Sequence, residues 1–249
     1  MLHPMPQSNA AENAPASSQS RSKLRLGARA FGGFTLGAIL FIALLFLPAG
    51  SFHFWQGWTY LAILFGPVFC AYVYLLMHDP ETLERRLEQK EKIGEQKLLM
   101  RWARLSFLAF MLLPGFDHRW GWSRDLLGAE PLWLTLLSQG FCLVGILFGC
   151  WIVSINRFAA RTIRVEAGQK VISTGPYAVV RHPMYAGGAL LWSFAPLAMG
   201  SYIALPAFAL FVPFLVFRLL NEEKVLREQL PGYTEYCQRT RYRLIPFVW

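Results

Sequence analysis

Six apolar runs alternate with charged or polar stretches along the chain: Ala30 to Leu47, Gly57 to Met77, Leu105 to Phe116, Pro131 to Ile155, Pro183 to Met199 and Tyr202 to Leu220. A helix needs about 20 apolar residues to cross roughly 30 Å of hydrocarbon, and most of these runs approach or exceed that length. The pattern predicts an all-α polytopic membrane protein with about six transmembrane helices. The third run is the shortest. Arg101 and Arg104 precede it, and it reads as a span whose arginines reach back to the interface along their apolar stems. Only Gly200-Ser201 separates the last two runs, which makes them a tight helical hairpin. Pro196, Pro206 and Pro213 are expected to kink it, as membrane helices tolerate when neighbours satisfy the freed backbone groups.

The stretches between the runs differ in kind. Met1 to Ser22 is rich in Ser, Ala, Pro, Gln and Asn without periodicity and reads as disordered. Arg21, Lys23, Arg25 and Arg29 then introduce the first run. A basic flank also opens a signal peptide, but this run is nearly long enough to span and further spans follow, so a retained first helix is expected. His78 to Glu95 is strongly charged, and Glu81, Glu84, Arg85 and Glu88 fit an exposed, salt-bridged helix. Asn156 to Arg181 is basic, and Val165 to Thr174 within it reads as extended or turning. Three regions result: a disordered basic segment (1–29), a bundle of four transmembrane helices (30–155), and a C-terminal unit of loop, hairpin and tail (156–249).

Composition agrees. The chain is 55% hydrophobic and only 16% charged, against roughly 25% charged in an average soluble domain. A net charge of +9 on a soluble domain would point to nucleic acid. Here Lys and Arg collect in what would be cytoplasmic loops, so membrane lipids, not nucleic acid, are the expected electrostatic partner. With six spans and a cytoplasmic N-terminus, only Arg119 and Arg124 of the 24 Lys and Arg fall outside, which places both termini in the cytoplasm. Trp55, Trp58, Tyr60, Trp120 and Trp122 fit interfacial aromatic belts. The four cysteines, without CxxC or metal-ligand spacing, read as reduced and structural. No internal repeat marks an inverted-repeat transporter.

The densest chemistry lies between Gly175 and Gly187 (GPYAVVRHPMYAG). Pro176 and Pro183 each bias the preceding residue away from helix, and Pro183 itself suits a first helical turn. The prediction is a shaped loop from Gly175 to Arg181, His182 at the helix N-cap, and helix from Met184 onward. Roughly forty residues later Arg218, Glu222 and Glu223 leave the last run on the same side. Tyr177, Arg181, His182, Tyr185, Arg218, Glu222 and Glu223 can therefore converge at the membrane edge, where charges are costly and by default functional. Each has a plainer reading: His182 and Pro183 as a helix cap, Arg218 with Glu222 and Glu223 with Arg227 as pairs one turn apart. Together they point to a cytoplasmic cofactor-binding cleft beside a lipid-accessible gap. Carboxylates, aromatic rings and an arginine suit a cationic or adenosine-bearing cofactor and an amphiphilic substrate. No Gly-rich phosphate cradle is present.

The combination of Val171, Thr174-Gly175-Pro176-Tyr177, Arg181-His182-Pro183-Met184-Tyr185-Ala186-Gly187, Glu222-Glu223 and the tail Tyr233 to Pro246 resembles the isoprenylcysteine carboxyl methyltransferases. The related phospholipid methyltransferases share much of it, and the resemblance runs from about Arg157 onward. It implies a membrane methyltransferase using S-adenosyl-L-methionine. Gln169, Lys170, Val171 and Ile172 would line the cofactor, partly through backbone groups; Tyr177, His182, Pro183, Met184, Tyr185 and Glu222 would complete its pocket. Arg218 falls where the family places a substrate-contacting arginine and is the implied catalytic residue. The implied reaction is in-line methyl transfer to a lipophilic or prenylated acceptor, with carboxyl O-methylation of an isoprenylcysteine-like substrate the expected case. Spans one to three do not copy the eukaryotic enzymes, so a small isoprenoid acid, a lipid amine and a small thiol stay open as acceptors. A competing resemblance is to NADPH-dependent membrane sterol reductases, which share an R-H-P-N-Y motif and an L-I-P tail. Here Met184 replaces that asparagine, and Glu222-Glu223 favours the methyltransferase. A non-enzymatic membrane protein is the third class; no span carries the mid-membrane charge that would mark a translocation path.

Overall fold

The computed structural model describes residues 16–87, 97–156 and 168–249. The expectations for residues 1–15, for Glu88 and for the first residues of the 165–174 stretch lie outside these. Among the described residues the regular structure is helical: α1 (Ala16–Ala49), α2 (Trp55–His78), α3 (Pro80–Leu87), α4 (Lys97–Trp120), α5 (Trp122–Leu127), α6 (Leu132–Ile155), α7 (Pro183–Ala198), α8 (Leu205–Gln229) and α9 (Tyr233–Arg239). A 3-10 turn covers Gly175–Ala178, and a single isolated parallel bridge joins Val180 to Tyr242.

Four of these helices, α1 from Ser22 onward, α2, α6 and α8, are long and apolar enough to cross a membrane. The chain is an integral membrane protein. The two other expected spans differ from these. Helix α4 is 24 residues long but carries Arg101, Arg104, Asp117 and Arg119. Helix α7 has 16 residues, which at 1.5 Å per residue is about 24 Å, short of the ~30 Å hydrocarbon core. Both still belong to the bundle, because α4 packs on α1 and α8, and α7 lies along α6.

Two expected boundaries are corrected. Residues 16–29, read as disordered, are the first turns of α1. No proline interrupts the sequence from Ala16 to Leu47, and extending an anchored helix fixes one residue per hydrogen bond gained. The last helix continues past Leu220 to Gln229, where Pro231-Gly232 ends it. The expected salt bridge of α3 forms between Glu81 and Arg85 at 3.5 Å, but the helix is exposed on one face only, with Thr82 and Leu83 buried on the other.

Lipid is as apolar as the protein interior, so these helices associate through close packing and polar links rather than through expulsion of water. The most extensive helix pairing is α6 on α7. A Cβ at Gly145 would lie 2.8 Å from the Gly187 oxygen and 2.8 Å from the Leu191 nitrogen, both backbone atoms. Gly115 of α4 meets the Leu45 oxygen of α1 in the same way. Gln139 Nε2 donates to Thr59 Oγ1 at 2.7 Å and to the Ala198 oxygen at 3.1 Å, linking α6 to both α2 and α7. Around these links Phe46, Tyr60, Met111, Cys142, Leu191 and Met199 form the main core.

One end of the bundle is closed by a carboxylate. Buried Asp117 at the end of α4 accepts from the Ser123 nitrogen at 2.7 Å, from the Ser123 hydroxyl, and from Ser201 Oγ at 2.6 Å. Ser123 Oγ in turn accepts from the nitrogens of Tyr202 and Ile203 at 2.9 and 3.1 Å. The α7–α8 turn, with Gly200 in the left-handed region (φ 73°), is thereby tied to α4 and α5. Trp55, Trp58, Trp120 and Trp122 are all partly exposed at this end, as an interfacial belt requires, whereas Tyr60, expected in the same belt, faces inward and is fully buried in the core.

Replacing Gly145 by Ala should lower bundle stability by about 1–3 kcal/mol, the usual cost of overpacking against atoms that cannot move. Gly140→Ala, where a Cβ would meet nothing within 4 Å, is the matched control, and thermal unfolding in detergent reads both. At the closed end, burial pushes the Glu130 carboxyl from 4.5 up to about 7, with the Thr135 bond opposing and the Asp117 charge adding. A carboxyl raised in the fold binds more protons folded than unfolded, so its stability penalty grows as pH rises from about 4.5 to about 7. Glu130→Gln should therefore raise the melting midpoint at pH 8 by roughly one to three °C, allowing for solvent screening, and leave it unchanged at pH 4.

Candidate functional site

At the other end of the bundle the chain leaves α6 at Ile155 and returns into α7 at Pro183. As the two prolines dictate, Pro176 opens the 3-10 turn, His182 is the N-cap of α7 and Pro183 begins the helix. The His182 side chain makes no capping bond; the residue is held by its backbone instead. Its nitrogen donates to the Arg243 oxygen at 2.9 Å, and the Arg181 nitrogen donates to the Tyr242 oxygen at 2.9 Å. The loop before α7 is thus paired to the C-terminal tail as a two-residue ladder.

Glu223 holds that ladder to α8. Its Oε1 lies 2.6 Å from Arg181 Nε and its Oε2 lies 3.0 Å from Arg243 Nε. His182 Nε2 is 3.4 Å from Oε1, a long contact outside hydrogen-bond geometry. Arg181 also donates through Nη1 to the oxygens of Thr240 and Arg241 at 3.1 and 3.0 Å. Arg181 and Glu223 are both buried. The one-turn pairing of Glu223 with Arg227 does not form, because Glu223 faces inward and Arg227 is exposed. Glu222 is committed elsewhere: its Oε2 accepts from Tyr185 OH at 2.7 Å. Tyr177 OH accepts from Asn156 Nδ2 at 2.7 Å, and the Tyr177 carbonyl accepts from Tyr236 OH at 2.7 Å. Burial pushes the Tyr177 phenol up and Glu222 adds to the rise, so it is a neutral group at physiological pH.

These residues surround a cavity of about 570 Å³, within the roughly 300–1,000 Å³ of small-molecule sites. The eleven residues implied for cofactor and acceptor all line it: Gln169, Lys170, Val171 and Ile172 on the loop, Tyr177 on the 3-10 turn, His182, Pro183, Met184 and Tyr185 at the start of α7, and Arg218 and Glu222 on α8; of the two other residues expected to converge there, Arg181 lines it and Glu223 stands behind it. Sequence reasoning missed two walls. One is apolar, formed by Gly188, Ala189 and Trp192 of α7 with Phe211, Phe214 and Leu215 of α8. The other is Leu226 and Leu230 with Tyr233 and Tyr236 of α9. The signal for the first was present: Phe211, Phe214, Leu215, Arg218 and Glu222 recur at three- and four-residue spacing, one stripe of a single helix. The stripe joins charged residues at one end to aromatic rings inside the bilayer. An amphiphile has the same polarity along its length.

Residues 133–231 match the phospholipid methyltransferase family. This family is related to the isoprenylcysteine methyltransferases, and the matched segment runs from α6 through α8, taking in all eleven site residues. Over 94 residues the chain is also 36% identical to the Delta(14)-sterol reductase TM7SF2 of Mus musculus. That match covers 35% of this chain and 22% of the reductase, so the chain corresponds to about a fifth of the relative's length.

Glu223→Gln keeps the shape of the side chain and removes its charge. Losing one partner of a buried ion pair typically costs about 3–5 kcal/mol. Hydrogen exchange at the amides of Arg181 and His182 should accelerate at least severalfold, while Glu228→Gln, on an exposed residue of the same helix, should leave those amides protected.

Proposed function

We propose that the protein is an integral membrane methyltransferase that uses S-adenosyl-L-methionine and acts on a lipophilic or prenylated acceptor. The observation that carries this reading is the cavity itself, which joins a polar, carboxylate-bearing end to an apolar wall within the segment that matches the methyltransferase family. The donor set suits the cofactor. Glu222 offers a carboxylate to ribose hydroxyls or an ammonium group, and Tyr185 fixes its orientation from one side. Tyr177, His182 and Met184 offer flat or polarisable faces to an adenine ring and a sulfonium-bearing chain. Gln169 to Ile172 lie on irregular backbone that lines the cavity, where N–H and C=O groups can serve as polar contacts.

Bound in this cavity, S-adenosyl-L-methionine would supply the electrophilic methyl group. The residues of the chain do the rest. Arg218, one turn before Glu222, would hold an anionic acceptor group at the polar end. Trp192, Phe211, Phe214 and Leu215 would take the acceptor's apolar chain and keep water out. A carboxylate acceptor is already ionised at neutral pH, so no general base is needed. Alignment of the two partners then supplies most of the acceleration. Carboxyl O-methylation of an isoprenylcysteine-like acceptor is the specific reaction this arrangement favours, with the loop and tail on the cytoplasmic side.

A second reading, an NADPH-dependent sterol-type reductase, is favoured by one observation, the 36% identity to the mouse reductase segment. Calorimetric titration of the purified protein with each cofactor separates the two. S-adenosyl-L-methionine should bind saturably, and Glu222→Ala and Tyr185→Phe should each weaken it about tenfold, the loss of a charge-assisted hydrogen bond being worth about 1.5–3 kcal/mol. Binding of NADPH in its place, weakened by the same substitutions, would move the protein to the reductases. Turnover of candidate acceptors should be lost in Arg218→Ala with methyl-donor affinity largely retained.

A further inference from the structure

The C-terminal tail carries apolar side chains that no helix contact explains. Ile245, Phe247 and Val248 are 51%, 87% and 76% exposed. Exposed apolar residues on α1, α2, α6 and α8 face lipid, but these three sit on irregular backbone after α9. The position of that backbone is fixed. The Arg181 and His182 nitrogens donate to the oxygens of Tyr242 and Arg243, so the tail lies beside the start of α7. Helix α7 is about 24 Å long, and its far end meets the Trp-rich closed end of the bundle. Its near end therefore reaches no further than the opposite boundary of the ~30 Å hydrocarbon core. Residues 244–249 consequently lie at the membrane surface, level with headgroups and the first acyl carbons.

The tail is also built to be there. Irregular backbone enters apolar surroundings only when its polar groups are satisfied internally. The nitrogens of Arg243, Leu244 and Ile245 all donate to the Trp249 oxygen at 2.9, 3.0 and 3.2 Å, and those of Val248 and Trp249 donate to the Ile245 oxygen at 3.2 and 3.1 Å. Pro246 has no N–H to satisfy. Five of the loop's nitrogens are held in this way, and Phe247 stands at its tip in the left-handed region (φ 65°) with its ring 5.2 Å from that of Tyr242. Beside it stand Arg239 and Arg241, both exposed, and Arg243, whose guanidinium lies 5.3 Å from the Trp249 ring. From Tyr233 to Trp249 the acidic side chain is Glu235 alone. Tyr and Trp beside arginines and an apolar tip form a pattern that suits an anionic lipid interface.

We propose that residues 239–249 form a surface anchor that inserts Ile245, Phe247 and Val248 into the bilayer boundary and takes anionic phospholipid headgroups on Arg239 and Arg241. Because the same segment is bonded to Arg181, His182 and Glu223, docking of the tail on lipid also holds one wall of the cavity in place. The anchor does not depend on which cofactor the cavity takes.

The test uses the full chain in nanodiscs of phosphatidylcholine, with or without phosphatidylglycerol. A nitroxide is placed at Val248→Cys, or at Glu235→Cys on the exposed face of α9, with the four native cysteines replaced by alanine. The ratio of oxygen to nickel-chelate collisions should be severalfold higher at 248 than at 235. Added phosphatidylglycerol should raise it further, and Arg239→Gln with Arg241→Gln should abolish that second rise. Equal ratios at 248 and 235 would overturn the insertion. A ratio at 248 indifferent to phosphatidylglycerol would overturn the headgroup site. With the native cysteines kept, benzoylphenylalanine at position 247 should photocrosslink to phospholipid; crosslinking only within the chain would place the tip on the protein's own surface and sink the proposal.

Discussion

Glu223 is a full charge held away from water, and the cavity takes its form from the need to keep that charge paired. Three separate pieces of chain meet on its two oxygens: α8, which carries it, the loop end at Arg181, and the tail at Arg243. A buried ion pair adds little net stability compared with an apolar replacement, but removing one member strands the other. The three pieces therefore cannot separate one at a time. This gives a loop and a tail, with only a single bridge of regular pairing between them, the rigidity that a binding site on irregular backbone otherwise lacks.

A second buried carboxylate does the same at the far end of the same hairpin. Asp117 gathers Ser201 directly and the backbone of Tyr202 and Ile203 through Ser123. Between the two, α7 lies against α6 at glycines that admit no side chain. The hairpin is thus fixed at both ends and along its length, without help from the hydrophobic effect, which is weak between helices in lipid. What remains is the gap between α7 and α8 on the side away from α6, and that gap is the apolar wall of the cavity.

Local rules made much of this legible. Two prolines fixed where α7 begins, and the spacing of Arg218 and Glu222 placed both on one helical face. Six apolar runs announced the membrane, and four of them stand as helices long and apolar enough to cross it alone, while α4 and α7 are carried by the helices they pack against. Other features depended on contacts distant in sequence. Glu223 and Arg227 satisfy the one-turn rule as well as Glu223 and Arg181 satisfy the observed pairing, and only the fold decides between them. The tail passes the loop because of hydrogen bonds across some sixty residues, which no periodicity encodes. Residues 16–29 were read by composition as loose chain, yet helix already formed in the bilayer extends into them.

The cavity's electrostatics bear on which cofactor it can hold, because fold alone does not decide function. Its lining residues all lie between Asn156 and Tyr236, so the described parts of α1 to α5 support the site without touching it. Within that lining, Arg181 is engaged by Glu223 and by two carbonyls, and Lys170, Arg218 and Glu222 are the other Lys, Arg and Glu side chains. A phosphorylated dinucleotide brings several negative charges and needs a cluster of uncommitted donors to replace their water. A sulfonium cofactor brings a positive charge and an ammonium group, for which a carboxylate and aromatic faces are the matching partners. Met184, at the first turn of α7, contributes a thioether where an amide would have offered both a donor and an acceptor. Glu222 and the aromatic faces are therefore the part of this lining that suits a sulfonium and an ammonium group, and Arg218 the part that suits an anionic group.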